Sequence, residues 1–305
     1  MLRFKTLALC VLCLLPVSTS AQERVYLGYG GLLTNDFLGD GGDRWRSGSL
    51  VSSFTFGPAD ASARAPRFGE VIELRLGLEA LGPRNLRRPA ADDRPYAGIL
   101  TAGVHTHFRR GEVELSIGGD LVFTGEGTGV GRLQKEFHEA LGASAPSAAT
   151  LAAQIDDGVH PTLVAEAARP VVVAPALRVI PFVEGRAGVE TLVRAGLDLS
   201  FGDFGFGGLT ARDASTGHRY RTSRDPEAAG LSLTLGADIA HVTDSVLLPE
   251  GRGFTLTQTR DRVRAGVHWQ GERASAFYGL TWLGKEFERQ SDDQVVGSLS
   301  INLDF

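Results

Sequence analysis

Past residue 13 the sequence contains no cysteine: among its 305 residues only Cys10 and Cys13 carry a thiol, and both lie in the first 21. The rest of the chain therefore has no disulfide framework, no thiolate nucleophile and no cysteine ligand for a metal. Positive charge is also scarce. Lysine and arginine number 31, two of them (Arg3 and Lys5) at the very start, against 36 acidic residues, and no basic patch stands out. Nucleic acid is not the partner that this balance selects. After residue 21 no run of 18 or more apolar residues occurs, which excludes membrane-crossing helices. G-x-S-x-G, P-loop and H-E-x-x-H patterns are missing too, so a serine hydrolase has only weak support.

What is present begins with an export signal. Arg3 and Lys5, the apolar run Leu7 to Pro16 and the small-residue stretch Val17 to Ala21 read as a secretory signal peptide over 1–21, cut after Ala21. The run is shorter than the roughly 20 residues of a spanning helix. Leu9 and Leu12 stand where a lipoprotein would need a small residue before its cysteine.

Beyond the signal the sequence alternates. Ile72, Leu74, Leu76, Leu78 and Ala80 interleave with Glu73, Arg75, Gly77 and Glu79, the two-residue period of a strand with one apolar and one polar face. The pattern returns at 113–117, 194–200, 231–238 and 262–269. Strands of about 10 residues match a tilted crossing of a bilayer, about twice the usual soluble length. Twelve candidates emerge, at 24–33, 46–57, 70–80, 95–108, 111–123, 161–173, 177–190, 193–203, 229–241, 259–270, 273–283 and 292–305. The expected fold is all-β, a 12-stranded antiparallel transmembrane barrel over 22–305, closed because lipid cannot satisfy a free strand edge. Leu299, Ile301, Leu303 and Phe305 give the last strand an apolar face ending on an aromatic. Such an ending looks like the signal of barrels handed to the barrel-assembly machinery.

With both termini in the periplasm, the outward connections are 34–45, 81–94, 124–160, 191–192, 242–258 and 284–291. One of them carries a helix, about Gly131 to Leu141, with Leu133, Phe137 and Leu141 on one stripe and Gly142 as C-cap. The periplasmic connection 204–228 is oddly long and suggests a misplaced strand boundary. This parity brings Asn35–Asp36, Arg46, Arg87–Arg88 and His138 to the outer rim, with Gln134 one helical turn before His138. Each also has a plainer reading: His138 as a solvated helix residue, Asn35 and Asp36 as turn formers, Arg87 and Arg88 as partners of lipopolysaccharide phosphates. Asp40 and Asp43 read as solvated loop residues, and no EF-hand spacing is present. Arg262, Arg264, Glu184 and Arg186 read as a paired interior network.

Several short segments, in order along nearly the whole chain, match a family. They are Asn35–Asp36, Asp43-Arg44-Trp45-Arg46-Ser47-Gly48, Asp93-Arg94-Pro95-Tyr96-Ala97-Gly98, Gln134-x-x-x-His138 and Glu286-Phe287-Glu288-Arg289-Gln290. Together they resemble the lipid A 3'-O-deacylases of Gram-negative outer membranes. The resemblance implies a 12-stranded barrel that removes the 3'-linked acyloxyacyl chain of lipid A with Ca²⁺, at a site between the wall and an outer-loop helix. It implies His138 as general base, Asn35 and Asp36 as the polar site beside it, and Asp36 as the cation ligand. A neutral imidazole suits the base role near neutral pH.

Two positions depart from the family. Trp45-Arg46 stands where a Tyr-Thr pair is expected before the small-residue-Gly step, so Arg46 enters the site in place of a hydroxyl. Arg88 or Arg87 stands nearest to the family's lysine and, with Gln134, would bind the head group. The alternatives are a barrel that binds lipopolysaccharide without turnover, having lost activity through Arg46, and a diffusion channel.

Overall fold

The computed structural model describes residues 24–61, 65–205, 208–223 and 229–303. The signal segment 1–21 and Phe305 lie outside them. The strands are β1 Val25–Asn35, β2 Trp45–Gly57, β3 Val71–Gly82, β4 Ala97–Arg110, β5 Val113–Thr124, β6 Gly158–Ala168, β7 Val171–Ala174, β8 Leu177–Ala187, β9 Glu190–Phe201, β10 Thr210–Arg212, β11 Arg219–Arg221, β12 Gly230–Ser245, β13 Thr259–Gln270, β14 Ala274–Leu283 and β15 Gln294–Leu303. The helices are α1 Val130–Leu141 and the short α2 Ala148–Ala152.

Twelve of the strands form an antiparallel barrel, which closes where β1 meets β15 (Leu33 opposite Leu299) and where β6 meets β8 (Leu163 opposite Ala187). Closure leaves the wall no edge to solvate in lipid. The alternation in sequence becomes the two faces of the wall. Leu74, Leu76, Val104, Ile117 and Val263 are exposed on the outside, while Glu73, His105, Asp120, Asp198 and Arg264 are buried within. Most strand ends lie within three residues of those expected; the strand expected at 161–173 divides into β6 and β7, and β12 runs on to Ser245 because hydrogen-bonded pairing outlasts the alternation.

The interior is an ion-paired core. Arg75 meets Glu73 at 2.8 Å, Arg262 meets Asp238 at 2.9 Å, and Arg264 bridges Asp198 and Asp238. Arg186 reaches Glu184 at 3.5 Å. The long periplasmic connection is no misplaced boundary. Its residues 208–223 turn back into the lumen as the hairpin β10–β11, where Arg212 and Arg219 bond Glu166 and Asp198. A connection so rich in arginine is drawn inward by Glu166, which among the described residues pairs with Arg212 and Arg219 alone, and by Asp198, which it shares with Arg264. Gly30 of β1 admits this plug: a Cβ there would lie 1.5 Å from the Arg221 carbonyl oxygen. Tyr220 and Ala211 seal its base against Leu32 and Phe277. At the outer mouth, Trp45, Leu248, Phe254 and Phe287 pack as a roof.

α1 starts one residue earlier than its periodicity marks and ends on Gly142 in the left-handed conformation (φ 68°). It lies outside the barrel, where Val130 packs with Leu78 on β3, Leu100 on β4 and Tyr96 just before β4. A Cβ on Gly98 would come 2.8 Å from Thr128 Oγ1 and 3.0 Å from Val130 Cβ, so only glycine lets the helix start so close to the wall. α2 was not apparent from the pattern. It is capped by Ser147, whose hydroxyl accepts from Thr150 N, and it anchors the 83–96 loop through Thr150 Oγ1 to Leu86 O (2.7 Å).

Candidate active site

Asn35 ends β1 two residues after the lipid-facing Leu33, so it shares the outer face, while Leu32 and Thr34 point inward. Its amide nitrogen donates to Ser47 O (2.8 Å), and its oxygen caps the next turn by accepting from Phe37 N (2.9 Å). Opposite it, β2 carries a bulge. Arg46 pairs with Leu81 and Gly48 with Ala80, leaving Ser47 as the extra residue. A bulge re-aims a side chain. Here it breaks the alternation, so that Arg46 joins Ser49 and Val51 on the lumen side in place of Ser47.

Ser47 Oγ donates to Asp43 Oδ1 (3.0 Å), and Asp43 Oδ2 lies 3.4 Å from His138 Nδ1. Nδ1 is also 3.0 Å from Ser144 O. With the proton on Nδ1, both oxygens act as acceptors and Nε2 is left as the basic nitrogen. Nucleophile-activating sites share this logic of a base oriented by a third group. Asp43 is thus no solvated loop residue. Burial raises its carboxyl above the ordinary range, against the pull of His138. Beside it, Tyr96 Oη donates to Gln134 Oε1 (2.7 Å), and burial together with the Asp43 charge raises the phenol, keeping it a donor.

Asp36 is 2% exposed and accepts from Arg44 N (2.8 Å). Burial, with Asp43 and Asp40 nearby, lifts its carboxyl to about 8. The sites of hard cations use oxygen ligands of this kind, and a buried carboxyl next to a second one favours a positive charge. Asp36, helped by Asp43 and the Asn35 side chain, therefore suits Ca²⁺. No group of three or more His, Cys, Asp or Glu among the described residues would hold a metal unaided, and a cation at Asp36 would need water or substrate oxygens as further ligands.

Arg46 does not join this group. Its guanidinium enters the lumen, 2.6 Å from Glu286, 2.7 Å from Glu79 and 3.3 Å from Ser215 at the tip of the plug. The expectation of a guanidinium in place of a hydroxyl fails because the bulge shifts parity by one. The hydroxyl in the cluster belongs to Ser47, which sequence reasoning passed over; Gly48 beside it was the one local signal. Arg87 and Arg88 are exposed on the 83–96 loop, their amides donating to Asn85 Oδ1. Other matched segments build the frame. Asp93 accepts from Trp45 Nε1 (3.2 Å), Arg94 bonds Glu286 (2.6 Å), and Phe287 lies in the roof. Trp45, at φ 52°, is the one non-glycine residue with positive φ among the described residues. Its backbone is strained beside the site, as residues next to functional groups often are.

Comparison with known proteins agrees with this architecture. The family model of outer membrane protein LpxR matches residues 7–305. LpxR from Salmonella typhimurium superposes with a TM-score of 0.70 at 16% identity, over 93% of this chain and 100% of that one. The NanC porin (TM-score 0.40, 4% identity, 92% and 100% covered) and the β domain of the Bordetella autotransporter BrkA (0.40, 11%, 91% and 99%) are more distant barrels. No curated protein matches by sequence. With its 12-stranded barrel set in the outer membrane of a Gram-negative cell, the chain belongs to the LpxR family, the lipid A 3'-O-deacylases that its motifs resemble.

Proposed function

We propose that the protein is an outer-membrane ester hydrolase that removes the 3'-linked acyloxyacyl chain of lipid A with water activated by His138. The contact series His138–Asp43–Ser47–Asn35, standing outside the wall at the outer rim, is the observation that carries this reading. It joins a base, its orienting carboxylate and an amide donor at the level where lipid head groups lie.

Nε2 of His138 takes a proton from water, and Asp43 stabilises the imidazolium that forms. Asn35 offers an N–H to the developing oxyanion, and Ser47 keeps Asp43 in register. Asp36 would hold Ca²⁺, which when bound polarises the ester carbonyl. Arg87 and Arg88 face the phosphates of the glucosamine head group, and Gln134, fixed by Tyr96, lines the approach. Insertion by the barrel-assembly machinery is the expected route into the membrane.

The reading of a non-enzymatic lipopolysaccharide-binding barrel drew its support from Arg46 standing in the site, and the guanidinium lies in the lumen instead. Mass spectrometry of lipid A from cells with and without the protein, in the presence of Ca²⁺, tests the proposal. Loss of one acyloxyacyl unit is expected; an unchanged acyl pattern with folded protein contradicts it.

A further inference from the structure

α1 has three faces. Val130, Gly131, Gln134 and His138 turn toward the wall, and Arg132, Lys135, Glu136 and Glu139 form the polar side. The third face is the stripe Leu133, Phe137 and Leu141, exposed at 55%, 59% and 67%. Among the described residues none covers it. Leu76 and Val104, which face lipid lower on the same part of the wall, are exposed at 53% and 52%. The helix begins directly over that column, since Leu78 opposite Leu100 packs with Val130 and Leu74 opposite Val104 lies below on the same face. Across the site, Phe37 is 77% exposed on a turn held to the outer end of β15, where Leu38 O accepts from Tyr278 Oη (2.8 Å) and Leu38 sits over Gly297.

We infer that α1 is an interfacial helix: its stripe, with Phe37, lies in the acyl region of the outer leaflet and forms a lateral entrance that admits a lipid acyl chain to the site. Continuity with the lipid-facing belt identifies the occupant. Three side chains fall far short of the roughly 800 Å² per partner that a stable protein interface buries, so a second copy of the chain is disfavoured. An amphipathic helix with charge on one face and Leu and Phe on the other is the form that lies in a membrane interface. The lumen offers no matching route, because the hairpin β10–β11 crosses it and the space that remains is lined by charged side chains such as Arg75, Glu166, Glu184 and Arg212, which do not suit an acyl chain. Only the identity of the admitted chain rests on the hydrolase reading; immersion of the helix stands without it.

The absence of cysteine from residues 22–305 makes the test clean. Leu141→Cys and, on the polar face, Glu136→Cys are spin-labelled in protein reconstituted into phosphatidylcholine–phosphatidylglycerol vesicles. Collisions with oxygen and with a water-soluble nickel chelate are then compared. The Leu141 label should sit about 5–10 Å below the head-group boundary, with the Glu136 label in water. Equal nickel accessibility at the two positions, shielding from both reagents, or dipolar broadening from a second copy would each overturn the inference. A second arm uses Phe137→Ser/Leu141→Ser protein, checked for folding by heat-modifiable migration. Hydrolysis of lipid A in vesicles should drop on the order of tenfold or more relative to hydrolysis in detergent micelles. Equal loss in both forms overturns the entrance. An immersed helix in a wild-type protein inactive on either form supports the interfacial placement and contradicts the hydrolase reading.

Discussion

The His138 ring is held by Ser144 O and Asp43 on one nitrogen, so removing it leaves a folded helix without a base. His138→Ala should lower the hydrolysis rate by about 10²–10⁴, the usual share of general base catalysis. His241 is exposed on the lipid-facing wall and serves as control. His105 is less suitable, being buried against Asp120 at 2.8 Å. Ser47→Ala removes a hydrogen bond to a charged group, about 1.5–3 kcal/mol, and should cost roughly 10–100-fold in rate with little change in KM. Arg46→Met should act on stability instead. It takes the cation from Glu79 and leaves Glu286 to Arg94, at most about 3–5 kcal/mol for a broken buried pair, and lowers the urea midpoint. Arg46→Met/Glu79→Gln, which keeps the Arg94–Glu286 pair, should recover part of that loss. His138, Asn35 and Asp36 were legible as candidates because they stand in order with the other matched motifs. Ser47 and Asp43 were not. A bulge leaves no periodic trace, and a carboxylate in a glycine-rich loop resembles any turn residue.

Among the elements, the wall strands were the most legible, since lipid on one side and paired charge on the other force strict alternation. α1 was legible from its stripe. The plug was not, because β10 and β11 are three residues each and are held by ion pairs from remote strands. Its presence yields a prediction for planar bilayers. The intact protein should show no steady conductance, and deletion of 208–223 should open one. Conductance in the intact protein would mean that the plug does not block the lumen. The roof gives a pH prediction. Burial disfavours the Glu286 charge, but Arg46, Arg94 and Arg260 outweigh it and hold the carboxyl well below the ordinary carboxylate range. A carboxyl lowered in this way contributes stability above its unfolded value of about 4.5, and that contribution is lost as pH falls toward the folded value. The urea midpoint should therefore fall below about pH 4.5 more steeply in the wild type than in Glu286→Gln.

At the scale of the whole molecule, the barrel separates two tasks. Its interior holds ion pairs and a plug that serve stability, while the proposed chemistry lies outside, between wall and helix, where lipid A lies in the membrane. Purified protein in vesicles containing lipid A, with Ca²⁺ present, tests this division most directly: released acyloxyacyl acid is measured by mass spectrometry for the wild type and for His138→Ala. The account predicts release by the wild type and a loss of at least about 10² in the variant. Comparable release by folded His138→Ala protein, or none by the wild type, would contradict it.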